Sequence, residues 1–241
     1  MALFSKSFNP LTDLPDLSGK VVIVTGGNAG IGYATVKHLA RKGATVYMAA
    51  RNKSKAEEAI AKLKQEGLSP GNGQVIWLEL DLSDPRNAKA AAQEFMSKEK
   101  RLDILIHNAA VYENHICYSK LANILYACEL QRRLDTEASP ITVISLHPGA
   151  VNTFSRKPQL QKISWLVDIL VYPFFVHPDV GGYTSAIAAA SPDVAQNRDK
   201  YKGAYLVPVG KLQKPTEMAR DEGLAKELWE TIESFLVDKG I

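Results

Sequence analysis

Glycine stands at 26, 30 and 32 in Thr25-Gly26-Gly27-Asn28-Ala29-Gly30-Ile31-Gly32, just after an apolar β-branched run and just before a stretch with helical spacing. A helix start presents N–H groups that lack acceptors, together with the positive end of the helix dipole, and both favour an anion. Glycine lets the backbone approach a pyrophosphate where side chains would block it. An ordinary strand-to-helix turn can also be glycine-rich. The strand before and the helix after supply the context that a dinucleotide site requires. Gly26, Asn28, Gly30, Ile31 and Gly32 are the candidate cradle.

About twenty residues further on, a unit that holds NAD places an acid for the ribose 2′-hydroxyl. Here the second strand ends Met48-Ala49-Ala50-Arg51-Asn52-Lys53, without an acid. The Arg51 guanidinium suits a bidentate contact with a 2′-phosphate. Solvated loop charges are the competing reading of Arg51 and Lys53. The missing acid and the base in its place agree, and they favour NADP(H) over NAD(H), with Arg51 and Asn52 as contacts.

Two further constellations carry less. Ser145 and His147 share a strand face only through the two-residue alternation, and no G-x-S-x-G elbow accompanies them, so Ser145 reads as structural. His38, His107, His115 and His177 have no metal-ligand spacing with Cys117 and Cys128, and no metal is expected.

The elements that must position the cradle alternate along the chain. Lys20–Thr25, Ala44–Ala50, Gln74–Leu80, Leu102–His107, Ile141–Leu146 and Ala204–Val209 read as strands. Tyr33–Lys42, a segment capped by Ser54 with Glu57, a segment opened by Asp84-Pro85, Ser119–Leu134, Asp179–Ala190 and Thr216–Asp238 read as helices. Strict alternation predicts an α/β fold: a Rossmann-type doubly wound parallel sheet with helices on both faces. Residues 1–241 are expected to form one nucleotide-binding domain, with a leader over 1–19 and a variable substrate-side segment over 154–178.

Composition narrows the function classes. Hydrophobic residues are 46% and charged residues 23%, and the net charge is +3, ordinary for a globular protein. No basic stripe with interleaved aromatics points to nucleic acid. The longest apolar stretch, Ile163 to Val176, is too short to span a bilayer and contains Asp168 and Pro173. It could serve as core, as an apolar substrate wall or as a membrane-surface contact. The first residues show no signal-peptide pattern. Cys117 and Cys128 fall on one helix, about 16 Å apart along its axis, too far to pair. A cytoplasmic location is expected.

The motifs together resemble the short-chain dehydrogenase/reductase family, over nearly the whole chain. Thr25-Gly26-xxx-Gly30-x-Gly32 is similar to the family's TGxxxGxG turn, and Asp81-Leu82 to its adenine-contacting pair. Asn108-Ala109-Ala110 resembles its NAG segment, Ser119-Lys120 the end of YxxSK, and Pro148-Gly149-Ala-Val151-Asn-Thr153 the PGxVxT stretch that holds the nicotinamide amide. Ser119-Lys-Leu-Ala-Asn123, Leu146-His-Pro-Gly149 and Pro208-Val-Gly-Lys211 are closest to the retinol-dehydrogenase-like subgroup. The resemblance implies hydride transfer between a nicotinamide and a small apolar alcohol, aldehyde or ketone. It also implies a tyrosine that passes the proton, a lysine four residues later and a serine that orients the substrate oxygen. A free tyrosine has a pKa of about 10, so acid/base work near neutrality needs the nearby cation.

The chain departs from that pattern at the chemistry. Lys120 is present, but Ile116 stands four residues before it, and Tyr118 lies two before it, about 200° around a helix. Tyr118 and Lys120 are the catalytic candidates. Nine residues, Val111 to Ser119, separate Ala110 from Lys120, too few for the helix and serine-bearing strand that the family places there. A sheet one strand short is expected. The later strand either slides in beside the fourth or leaves the place open. Two functions follow: an NADP(H)-dependent oxidoreductase, or a nucleotide-binding protein without turnover that acts as a sensor or interaction partner. The family's usual dimer uses the helix that is missing, which leaves a homo-oligomer in question.

Overall fold

A computed structural model describes residues 8–110, 116–151 and 176–241. Its organising strand is β1 (Val21–Thr25), buried along its whole length. β2 (Thr45–Ala50) pairs with one edge and β4 (Ile104–Ile106) with the other. β3 (Val75–Glu79) lies outside β2, giving the order β3-β2-β1-β4, all parallel. Val22 stands opposite both Val46 and Ile104.

The unbroken apolar run of β1 is explained by the helices on its two faces. Val22 and Val24 point to one side and pack with Val36 and Leu39 of α2 (Gly30–Ala40) and Leu63 of α3 (Lys53–Glu66). Val21 and Ile23 point to the other and pack with Tyr47, Leu78 and Phe95, the last on α4 (Pro85–Lys98). Tyr47 meets Phe95 edge to face at 5.0 Å, and its hydroxyl donates to Glu99 Oε1 at 2.9 Å.

A second sheet carries β5 (Ile144–Leu146), β6 (Ala204–Val207) and β7 (Lys211–Gln213). β5 and β6 are parallel, and β7 returns antiparallel to β6. α5 (Ile116–Thr136) packs on α9 (Glu222–Asp238), where Tyr126 stacks on Trp229 at 4.9 Å and the Arg133 guanidinium lies 4.5 Å from that ring. α6 (Pro178–Ala190) packs along α2 and also reaches β4, β5 and β6. The Lys37 ammonium lies 2.6 Å from Asp179 Oδ1, and His38 Nε2 lies 3.0 Å from the Asp179 carbonyl oxygen, which fixes α6 to α2. α7 (Pro192–Gln196) and α8 (Arg198–Tyr201) complete this side.

The fold is Rossmann-like, but its sheet is interrupted. Among the described residues no ladder joins β4 to β5. Among the described residues the later strand does not pair with the fourth, and it joins β6 instead. Leu105 on β4 is 48% exposed.

Several boundaries differ from the sequence expectation. β4 and β5 are each three residues long. α5 begins at Ile116 rather than Ser119. The cap of α3 is Asn52, whose Oδ1 accepts from Lys55 N–H at 2.9 Å, not Ser54, whose hydroxyl is bonded to Glu58. The final helix starts at Glu222 behind Asp221, which accepts from Leu224 N–H. The leader holds α1 (Pro10–Asp13) and buries Leu14 and Leu17. Among the described residues no helix is long and apolar enough to cross a membrane.

Candidate functional site

The glycine turn lies at the C-terminal ends of the strands, where open α/β sheets bind ligands. Gly26 has φ +63°, the left-handed region that other residues enter at a cost, and its N–H donates to the Ala49 carbonyl at 2.8 Å. A Cβ on Gly32 would lie 2.3 Å from Gly26 O and 2.5 Å from Asn108 Nδ2. Neither contact is tolerable, so the cradle exists only with glycine at 32.

α2 begins behind Ala29, whose side chain cannot cap it. The Tyr33 N–H is bonded back to the Ala29 carbonyl. The N–H groups of the first turn, at Gly30, Ile31 and Gly32, precede that point and lack intrahelical acceptors. An uncapped helix start with a small entry turn is suited to an anion.

Thr25 and Asn108 fasten the cradle to the next strand. Thr25 Oγ1 accepts from the N–H groups of Asn108 and Ala109, both at 3.0 Å. Asn108 Nδ2 donates to the carbonyls of Thr25 at 3.0 Å and Gly26 at 3.3 Å. Thr25 is buried and serves as a positioning residue. The sequence places Thr25 at the head of the glycine motif, but its positioning role rests on a bond to residues more than eighty positions away. Ala109 and Ala110 continue past Asn108 and are exposed.

The ends of β2 and β3 bring Arg51 and Asp81 together. Asp81 is held below the usual carboxylate range, chiefly by the Ser83 N–H at 3.0 Å, with the Arg51 charge adding to the effect. Arg51 and Leu82 are exposed. Asn52 also lies here, with its side-chain oxygen already engaged as the α3 cap. Trp77 Nε1 donates to the Ala50 carbonyl at 3.0 Å, and Lys53 Nζ sits 5.5 Å from the Trp77 ring.

The segment after β5 returns towards the cradle. His147 N–H donates to Leu206 O, and His147 Nδ1 accepts from Gly149 N–H at 2.9 Å, which fixes the turn at Pro148-Gly149. Val151 is buried. A Cβ on Gly181 would sit 2.7 Å from Val151 and 3.3 Å from Ile31. Gly181 thus lets Val151 and the start of α2 share one place, a contact with no local sequence signal. Thr153 lies outside the described residues, as does the apolar run from Ile163 up to Phe175. Ser145 Oγ donates to the Ala204 carbonyl, in keeping with a structural role.

The catalytic candidates lie at the start of α5. Tyr118, Ser119 and Lys120 are all inside α5 and exposed, Tyr118 to 74%. With both residues helical, Tyr118 and Lys120 point about 200° apart. The helix geometry does not bring the phenol and the ammonium onto one face.

Comparison with known proteins agrees with this arrangement. Residues 20–119 match the family model described as short chain dehydrogenase. The chain is 34% identical to a short-chain dehydrogenase/reductase of Armillaria gallica, over 92% of this chain and 94% of that protein. It is 32% identical to retinol dehydrogenase 14 of Mus musculus, over 90% and 86% respectively. The first of these alignments runs over 304 residues, more than the 241 of the whole chain, so that relative carries internal residues this chain lacks. Among solved structures, a short-chain type dehydrogenase/reductase from Mycobacterium marinum has a TM-score of 0.66 at 17% identity, covering 85% of this chain and all (100%) of that one. L-sorbose reductase from Gluconobacter frateurii, complexed with NADPH and L-sorbose, has a TM-score of 0.62 at 15% identity, with the same coverage of 85% and 100%. At those identities the structures speak to the fold.

Proposed function

The chain belongs to the short-chain dehydrogenase/reductase family of nucleotide-dependent oxidoreductases, and from that premise we propose that it uses NADP(H) on a small apolar alcohol, aldehyde or ketone. The observation that carries the cofactor reading is the glycine cradle together with Arg51, and no acid, at the end of β2. On this reading Gly26, Asn28, Gly30, Ile31 and Gly32 hold the pyrophosphate, Arg51 and Asn52 the 2′-phosphate, and Asp81 and Leu82 the adenine. Asn108, Ala109, Ala110 and Lys120 line the ribose side. Pro148, Gly149, Val151 and Thr153 hold the carboxamide. The cradle fits such a group because a Cβ at 32 would fill it.

NADP(H) supplies or takes up the hydride. Lys120 Nζ orients the ribose, and Tyr118 Oη is the candidate for moving the proton. Likeness to proteins named retinol dehydrogenase, and the apolar run up to Val176, support an apolar substrate. The same reading takes residues 1–241 as one domain in the cytoplasm.

One observation favours a second reading. Tyr118 and Lys120 face apart on α5, and among the described residues no strand pairs with β4 on the side away from β1. A protein of this form binds NADP(H) without turning it over and serves as a sensor or interaction partner. Turnover of NADPH with hydrophobic aldehydes and ketones separates the two. Activity that falls in both Lys120→Ala and Tyr118→Phe supports the enzyme. Folded protein that binds NADPH but turns over no faster than Lys120→Ala establishes the second reading.

A further inference from the structure

Arg51 and Asn52 form the exposed connection between β2 and α3, and the proposed 2′-phosphate contact rests on Arg51. A bidentate contact depends on direction as well as charge. A fixed backbone lowers the cost of ordering the side chain that makes it. Whatever holds the backbone at Arg51 therefore bears on the choice of cofactor.

Successive carbonyls at the end of β2 point to opposite edges of the strand. The Ala49 carbonyl accepts from Gly26 N–H at 2.8 Å, towards β1 and the cradle. The Ala50 carbonyl faces β3, where Leu80 N–H reaches it only at 3.4 Å, long for such a bond. Trp77 Nε1 donates to the same oxygen at 3.0 Å. The indole thus supplies the bond that the ladder makes poorly at its end. The Ala50 carbonyl and the Arg51 N–H belong to one planar peptide, so holding the oxygen orients the start of Arg51. On the far side Asn52 caps α3, its Oδ1 accepting from Lys55 N–H at 2.9 Å. Arg51 is pinned at both ends.

The Trp77 ring has a second use. It packs with the cluster that holds Ala56, Ala59 and Leu63 of α3. The Lys53 ammonium lies over it, 5.5 Å from its centroid, within the range of cation–π attraction. Glu57 Oε1 lies 3.9 Å from that ammonium, a loose and exposed pair that contributes little.

We propose that Trp77 is a positioning residue for cofactor choice: its indole N–H sets the Arg51 peptide, and its face holds Lys53 as a second cation for the 2′-phosphate. This role rests on the NADP(H) reading above. It concerns the adenine end of the cofactor alone, whatever the catalytic residues do.

The test is titration of the full chain with NADPH and with NADH, followed by nicotinamide fluorescence. Trp77→Phe keeps a ring and removes the N–H, and NADPH should bind about threefold more weakly. Trp77→Leu also removes the ring face, and a loss of about fivefold is expected. Lys53→Met changes an exposed side chain and should weaken NADPH about threefold. NADH binding should change little in all three. An NADPH-to-NADH affinity ratio that stays at the wild-type value in both Trp77 variants overturns the proposal. So does an equal loss for both cofactors, which makes Trp77 a structural residue only. An unchanged ratio in Lys53→Met removes the second cation and overturns it as well. A further reading needs no variant. In the nitrogen-labelled wild-type chain, the Trp77 indole N–H resonance should move further with saturating NADPH than with saturating NADH, and equal movement overturns the proposal. Equal affinity of the wild-type chain for NADPH and NADH is a different failure, because it overturns the NADP(H) reading itself.

Discussion

The sheet built on β1 and the sheet built on β6 obey the same physics with different success. β1 and β2 are five and six residues long, paired on both edges and buried almost throughout. β4 and β5 are three residues long, each paired on one edge among the described residues, and not fully buried. Burial falls with pairing, while β3, which also pairs on one edge among the described residues, keeps five residues. A strand with fewer neighbours has fewer cross-strand side-chain pairs to cover it. The candidate cofactor cradle stands on the well-paired sheet, and the catalytic candidates follow β4. On the proposed reading, binding and turnover rest on parts of unequal pairing.

That contrast can be broken by substitution. The largest effect is expected at the cradle. Gly32→Val places a side chain against Gly26 O and Asn108 Nδ2, costing about 3 kcal/mol of stability and abolishing NADPH binding, as thermal unfolding and fluorescence titration would read. Asn108→Ala comes next. It strips two donors from the carbonyls of Thr25 and Gly26, costing about 2 kcal/mol and loosening NADPH.

The other side is probed at Glu129. Its side chain is 2% exposed, and hydrogen bonds from Arg132, then Arg133, hold its carboxyl down at about 2. A carboxyl lowered in the folded state contributes stability that is present above its ordinary value of 4.5 and lost as pH falls through about 2. Glu129→Gln should cost about 1.5 kcal/mol at neutral pH, because the partner Arg132 is half-exposed and screened. It should also flatten the decline in stability between those pH values. Denaturant melts across that range would check both. A larger cost for Glu129→Gln than for Gly32→Val would reverse the ranking of the two regions. The smallest and most selective effect is expected for Arg51→Asp, with NADPH bound about tenfold more weakly and NADH little changed. Equal losses for both would remove the 2′-phosphate contact.

The sequence was legible where structure is local. The β-branched run Val21–Thr25, the glycines after it and the cap Asp84-Pro85 each carry their instruction within a few residues, and each forms as expected. The cap of α3 was misplaced by two residues because Asn52 and Ser54 are both good caps, and only the direction of the entering chain chooses between them. β7 was missed because Lys211-Leu212-Gln213 has little strand character of its own and pairs only because β6 lies beside it.

By itself, then, the sequence determined the dinucleotide cradle, the base in place of an acid at Arg51, and the shortfall between Ala110 and Lys120. Spacing and residue type are sufficient for each. Tertiary structure alone decided that, among the described residues, β5 pairs with β6 and not with β4. It alone brought Thr25 to Asn108 and, across Gly181, Val151 to Ile31. Those are pairings between distant parts of the chain, fixed by which surfaces can be buried together, and no short stretch of sequence records them.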